Sequence, residues 1–454
     1  MYDFDLLVVG GGPGGYEAAL HAAKLGLKTA LAEKDFVGGT CLNRGCIPTK
    51  ALLHASSVYE EAKNSAALGV NCEPTYDLSA IYAYKQSVVE KLRGGVEGLL
   101  KSAKVTVLRG VGTLRAEHTV AVGDAVYTAE HILLATGSVP ARPPIPGLDL
   151  PGVLTSDDLL NGAASFRSLV IIGGGVIGME FATFFNDLGV DVTVVEGLDR
   201  LLPLLDKELG QNLSMIMKKR GVKIFTGAMV RSVTETEAGL SVNFEVKGAA
   251  QSATAEAVLC AIGRRPYTDG LFGDGVALEM DGRRIKVNER FETSMPGVYA
   301  IGDVSAKIQL AHVATAQGLS AVNEIAGKAN GMDGSIVPSC VYTRPEIASV
   351  GMTEQEAKDA GVPVKVGKVT MFSNGRTVIV NGDRGFMKVL AHAETRRILG
   401  VQMMGVNVSD MIGEWGIAIA NGLTSEDLQK AMRPHPTFEE AITDALRDLS
   451  AKLG

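Results

Sequence analysis

A chain of 454 residues with a net charge of −7 and both signs interspersed has room for several domains with their own cores. It lacks the basic excess of a nucleic-acid binder and the basic run of a membrane-surface helix, so neither nucleic acid nor membrane is expected as a partner. Its five cysteines, Cys41, Cys46, Cys72, Cys260 and Cys340, are too sparse for a disulfide scaffold, so a bridge between any two reads as catalytic. The acidic start Met1-Tyr2-Asp3-Phe4-Asp5 runs straight into an apolar stretch without a signal-peptide pattern, and a cytoplasmic location is expected.

The apolar run Leu6 to Val9 predicts a strand, the glycines from Gly10 to Gly15 a turn, and Tyr16 to Leu25 an alanine-rich helix. Gly10, Gly12 and Gly15 keep G-x-G-x-x-G spacing, and a second strand from Lys28 to Ala32 delivers Glu33 eighteen residues after Gly15. Amides at that helix start would hold a pyrophosphate, and Glu33 would accept from a ribose hydroxyl. The same unit recurs. Leu169 to Ile172 leads into Gly173, Gly175 and Gly178, a helix follows, and Val192 to Val195 delivers Glu196, again eighteen residues after the third glycine. A repeat matched in glycines, strands and terminal acid points to two dinucleotide sites. Glu196 favours NAD over NADP: a carboxylate 4 Å from a 2′-phosphate costs about 4 kcal/mol at an effective dielectric near 20. Arg200 is the one cation close behind it.

Between the glycine runs lies Gly38-Gly39-Thr40-Cys41-Leu42-Asn43-Arg44-Gly45-Cys46-Ile47-Pro48-Thr49-Lys50. A regular helix would hold Cys41 and Cys46 about 140° apart with α-carbons roughly 8.6 Å apart, too far for a disulfide, so bonding between them requires a distorted helix start. Lys50 shares a helical face with Cys46, which places a cation near a reactive thiolate. Val105 to Leu134 predicts a small β-meander, and the prolines between Pro140 and Pro151 mark a connection between domains. Thr293 to Asp303 is a turn and short strand ending in Gly-Asp. Asp303 either caps a helix starting near Gln309 or bonds a sugar-like chain, and the bare residues favour the cap. From about Ile336 the pattern becomes α+β, with strands over Ser339 to Tyr342, Lys365 to Phe372, Gly385 to Ala391 and Ile398 to Met404, and a last helix over Thr437 to Leu449. His435 sits between two prolines, and Thr437-x-x-Glu440 has capping-box spacing.

With Cys41, Cys46, both glycine repeats and His435-Pro436, the chain resembles the class I FAD-dependent pyridine nucleotide-disulfide oxidoreductases nearly end to end, most closely their dihydrolipoamide-oxidising members. The resemblance implies an α/β protein with two Rossmann-like dinucleotide-binding domains and an α+β C-terminal dimerisation domain. The divisions are an FAD-binding domain over 1–143, an NAD-binding domain over 144–267, a central domain over 268–335 that completes the first, and a dimerisation domain over 336–454. It implies FAD at the first repeat and NAD at the second, with Gly137, Gly263 and Asp303 also at the cofactors and Asp303 on the ribityl chain. Cys41 matches the thiol that meets substrate and Cys46 the thiol against the flavin. Lys50 and Glu180 match an ion pair beside the flavin. His435 matches the acid–base group and Glu440 its orienting carboxylate, both supplied across a homodimer. The implied partner is a lipoyl domain of a 2-oxo acid dehydrogenase complex or a glycine-cleavage carrier protein; the alternative is an NAD(P)H-dependent reductase of another small disulfide. Two departures stand out, Arg44 where many relatives have Val and Arg433-Pro434 where many have His-Ala.

Overall fold

The computed structural model describes residues 1–162, 165–329, 334–382 and 385–454. The buried apolar strand Phe4–Val9 pairs in parallel with Thr29–Glu33 on one side and with the second half of Ala125–Leu134 on the other. Thr106–Arg109 extends the sheet beyond Thr29–Glu33, and Val298–Ala300 joins beside Ala125–Leu134. The predicted meander is therefore divided. Gly112–Ala116, Thr119–Val122 and the start of Ala125–Leu134 are antiparallel, whereas Thr106–Arg109 is a parallel strand of the main sheet.

The second repeat builds a parallel sheet in the order Lys223–Phe225, Asp191–Val195, Ser168–Ile172, Ala257–Cys260 and Val153–Leu154. An antiparallel sheet of Ala228–Thr236, Gly239–Val246 and Ala249–Ala255, not anticipated from the sequence, precedes its strand Ala257–Cys260. Both parallel sheets are buried on two faces, with helices on one and antiparallel strands on the other, Gly112–Ala116 and Thr119–Val122 over the first and Ala228–Thr236 and Gly239–Val246 over the second, which is why their strands read as unbroken hydrophobic runs.

The C-terminal sheet is antiparallel, in the order Ser339–Val341, Glu346–Gly351, Ile398–Gly405, Phe386–His392 and Val364–Thr370. Glu346–Gly351 is the strand that the sequence pattern failed to show; its small residues carry little hydrophobic signal, yet Ile347, Ala348 and Val350 are buried. Trp415, on the helix Val408–Ala420, is fully buried against this sheet together with Leu446 and Leu449 of the terminal helix Glu440–Leu453.

Lys388 ties this sheet to the second dinucleotide unit. Its side chain is only 3% exposed, and its ammonium donates to Asp206 at 2.8 Å and Glu354 at 2.9 Å. Asp206 also caps the helix Lys207–Lys219. Lys388→Met would leave Asp206 buried without its cation, so a loss of about 3–5 kcal/mol is expected. A thermal melt of the holoenzyme variant checks this; an unchanged midpoint contradicts it.

Candidate active site

Each glycine turn is built to the same plan. Gly10 and Gly173 take φ of +105° and +110°, and a Cβ on either would lie 2.3 or 2.4 Å from the carbonyl oxygen of Ala135 or Ala261. A Cβ on Gly15 would meet the Gly10 carbonyl oxygen at 1.9 Å, and one on Gly178 that of Gly173 at 2.0 Å. These glycines let helix and strand close on one another. Gly12 and Gly175 differ: each is the N-cap of its helix, bonded by no capping side chain, with open space where a Cβ would point. Two bare helix starts facing a cavity are what two pyrophosphates need.

Glu33 and Glu196 also act alike. Glu33 accepts from the N–H groups of Gly11 at 2.7 Å and Asp35 at 2.8 Å, and Glu196 from those of Gly174 at 2.5 Å and Leu198 at 2.7 Å. Each acid thus holds its glycine turn from the next strand, and its remaining lone pairs are free for a ribose. Arg200 bonds the carbonyl of Pro203 at 3.0 Å.

One cavity of about 1990 Å³ joins both turns, and Cys41, Cys46, Lys50, Gly137, Glu180, Gly263 and Asp303 line it too. Gly178 does not, being packed on Gly173, and His435 and Glu440 also lie outside its lining among the described residues. Asp303 is not a helix cap. It sits in the turn Gly302–Val304 after the strand Val298–Ala300, while the next helix begins at Ala311 without a capping side chain. Its carboxylate accepts from the Ser138 hydroxyl, which in turn accepts from Arg264 Nε at 2.8 Å. Burial pushes its pKa up. Ser138 and Arg264 were not picked out from the sequence, because they lie in two short strands 126 residues apart whose pairing no local pattern reveals.

The cysteine segment rests directly on the first turn. The Gly38 N–H donates to the Gly11 carbonyl at 2.7 Å, and a Cβ on Gly39 would lie 2.5 Å from the Gly12 α-carbon. The required distortion is present as a break: one helix runs Gly39–Arg44, another Cys46–Asn64, and Gly45 between them has φ −148° and ψ −114°. The two cysteines are free thiols, and each acts on the ionisation of the other. The Cys46 sulfur and burial push the Cys41 pKa up. The Cys41 thiol in turn lowers the Cys46 pKa: surrounding protein atoms oppose ionisation and Glu180 disfavours it, but the Cys41 thiol and the Lys50 ammonium prevail.

Lys50 donates to both Glu180 oxygens, at 2.9 and 2.7 Å. Burial works against the Lys50 charge, yet the Glu180 carboxylate more than offsets it and the Lys50 pKa is raised. Arg44 pairs with Asp35 beside the first turn.

His435 and Glu440 form a separate pair, Nδ1 to Oε1 at 2.9 Å, with the His435 side chain 78% exposed. Glu440 Oε2 accepts from the Thr437 N–H at 3.0 Å, but the Thr437 hydroxyl donates to the Pro434 carbonyl. Only half of the expected capping box forms, and the helix begins at Glu440 instead of Thr437. Arg433 explains its own departure from the family pattern: its guanidinium is buried, pairs with Glu414 and donates to Thr443 at 3.4 Å, anchoring the turn before His435.

Residues 4–318 match the pyridine nucleotide-disulphide oxidoreductase family, and 337–446 match the dimerisation domain of the same family. The chain belongs to the pyridine nucleotide-disulphide oxidoreductases. Members of this family use FAD and NAD, and the two bare helix starts fit dinucleotides. A dihydrolipoyl dehydrogenase of Geobacillus stearothermophilus is 41% identical over 448 residues, 97% of this chain and 95% of that protein. One from Bacillus subtilis is 39% identical over 462 residues, covering 98% of this chain and 97% of that protein. The solved structure of a HOCl-induced flavoprotein disulfide reductase from Escherichia coli superimposes with a TM-score of 0.87 at 28% identity, over 98% of this chain and 99% of that one. His435 and Glu440 fall inside the matched dimerisation domain of this oxidoreductase. No helix among the described residues is long and apolar enough to cross a membrane.

Proposed function

We propose that the protein oxidises a protein-bound dihydrolipoyl dithiol to its disulfide with NAD as final acceptor, as a cytoplasmic homodimer. The observation that carries this is the contact of two free thiols across the Gly45 break, with Cys46 the more acidic and facing a cavity shared by two dinucleotide cradles. Full-length identity to dihydrolipoyl dehydrogenases supports the choice of dithiol.

His435 of the partner subunit, oriented by that chain's Glu440, takes a proton from one substrate thiol. The thiolate attacks Cys41 of the oxidised Cys41–Cys46 pair, the S–S bond breaks, and Cys46 departs with the electron pair. The second substrate thiol then attacks the substrate sulfur in the mixed disulfide, releasing oxidised substrate; Cys41 leaves and takes the first proton from His435, which accepts the proton of the second thiol in its place. Cys46 is left as a thiolate, held in that state by Cys41 and Lys50. The chemistry that bound FAD supplies is acceptance of the dithiol's electrons and their return as hydride to NAD. The first cradle would hold FAD, with Glu33 at its ribose and Asp303 at its ribityl chain, and the second NAD, with Glu196 at its ribose. Occupation of Arg200 by the Pro203 carbonyl favours NAD over its phosphorylated form.

Likeness to a flavoprotein disulfide reductase keeps one second reading, reduction of another small disulfide. A steady-state assay separates them: NADH formation from NAD and dihydrolipoamide is expected, with far less from NADP. Absence of that activity, with turnover on glutathione or coenzyme A disulfide instead, would select the second reading.

A further inference from the structure

Lys50 is held from three parts of the chain. It lies on the helix Cys46–Asn64, its bidentate partner Glu180 on the helix Val176–Asp187, and its ammonium stands 4.8 Å from the ring centroid of Tyr342, just after the strand Ser339–Val341. The Tyr342 N–H donates to Glu180 Oε1 at 3.1 Å. Glu180 is 3% exposed, so one buried carboxylate receives both the lysine and a main-chain donor from the C-terminal domain. We propose that Tyr342 is a positioning residue of the redox centre, its ring and main-chain N–H together keeping the Lys50 ammonium beside Cys46.

The physical case is one of competing charges. Cys41, Lys50 and Glu180 are the titratable groups that act on Cys46, and the lysine favours its thiolate while the glutamate opposes it. The balance depends on which charge stands nearer the sulfur. A lysine ammonium is a point charge on a flexible four-carbon stem, and Glu180 grips it from one side only. The electron-rich face of Tyr342 closes the other side. Cys340, on the same strand, feels the same ammonium, so a drifting Lys50 has a second thiol to approach. The main-chain donor to Glu180 is kept by Ala, Leu or Phe at position 342, so these side-chain variants test the ring alone.

This inference rests on the proposed role of Cys46 as the flavin-facing thiolate, but its test requires no turnover. In the Cys41→Ser holoenzyme, the long-wavelength thiolate–flavin absorbance is titrated against pH, alone and combined with Tyr342→Ala, Tyr342→Leu or Tyr342→Phe. An ammonium that drifts from the sulfur stabilises the thiolate less, so an upward shift of the midpoint by about half a pH unit or more is expected in the Ala and Leu variants. Phe keeps the ring face, so its titration should superimpose on the Cys41→Ser parent. Leu preserves most of the side-chain bulk and decides the matter if Ala fails to fold. Unmoved midpoints in Ala or Leu overturn the proposal, and so does a Phe variant that shifts with them, because the hydroxyl would then be responsible. If the native holoenzyme fails to oxidise dihydrolipoamide, the substrate reading falls while this titration still decides the role of Tyr342.

Discussion

His435→Ala should slow dihydrolipoamide oxidation by about 10²–10⁴-fold while leaving the flavin spectrum intact. The side chain is 78% exposed and bonds only Glu440 among the described contacts, so removing it leaves no cavity in the core. Glu440 keeps its bond from the Thr437 N–H, and Arg433 still anchors the turn. On the proposed acid–base role the loss is chemical: no base remains to take the substrate proton. Stopped-flow and steady-state rates with the purified variant check it. A wild-type rate would refute the acid–base role.

The two cysteine variants should be equally inactive yet spectrally opposite. Cys46→Ser removes the sulfur whose pKa is lowered, so the long-wavelength thiolate–flavin band disappears along with turnover. Cys41→Ser loses the attacking point for substrate but keeps Cys46, a hydroxyl donor beside it and Lys50, so the band persists. In the native two-electron-reduced protein the band should titrate below the ordinary thiol range, weak on the acid side and strong above, because a lowered thiol pKa favours the thiolate at lower pH. Static spectra of the two variants suffice. A band retained in Cys46→Ser and lost in Cys41→Ser would reverse the assigned roles.

What was legible in the sequence is what local chemistry writes into short spacings. Gly10 to Glu33 and Gly173 to Glu196 encode strand, turn, helix and acid within one stretch each, and the structure reproduces both down to matching hydrogen bonds. Helix geometry called for a distorted helix start if Cys41 and Cys46 bond, and the chain breaks at Gly45 with both cysteines as free thiols. What was illegible depends on distant chain segments. Asp303 read as a helix cap because nothing local reveals that Ser138 and Arg264, far back in the chain, turn towards it. Tyr342 looked like any strand-end aromatic until Lys50 and Glu180 arrived from other domains. Glu346–Gly351 escaped notice since Ala348 and Ser349 interrupt its apolar run, although its pairing to Ile398–Gly405 places it inside the sheet. The expected use of Glu33 and Glu196 at a ribose was incomplete, as both first fasten their own glycine turns.

In the proposed enzyme the Cys41–Cys46 pair of one chain works with His435 of the other. Mixing Cys46→Ser and His435→Ala homodimers under conditions of subunit exchange tests it most directly. Each heterodimer then contains one site with both defects and one with neither, so dihydrolipoamide-dependent NADH formation should recover to about a quarter of the wild-type rate at random exchange. Exchange verified by mass with no recovery above the two parents would show that each chain supplies its own histidine, contradicting the shared site.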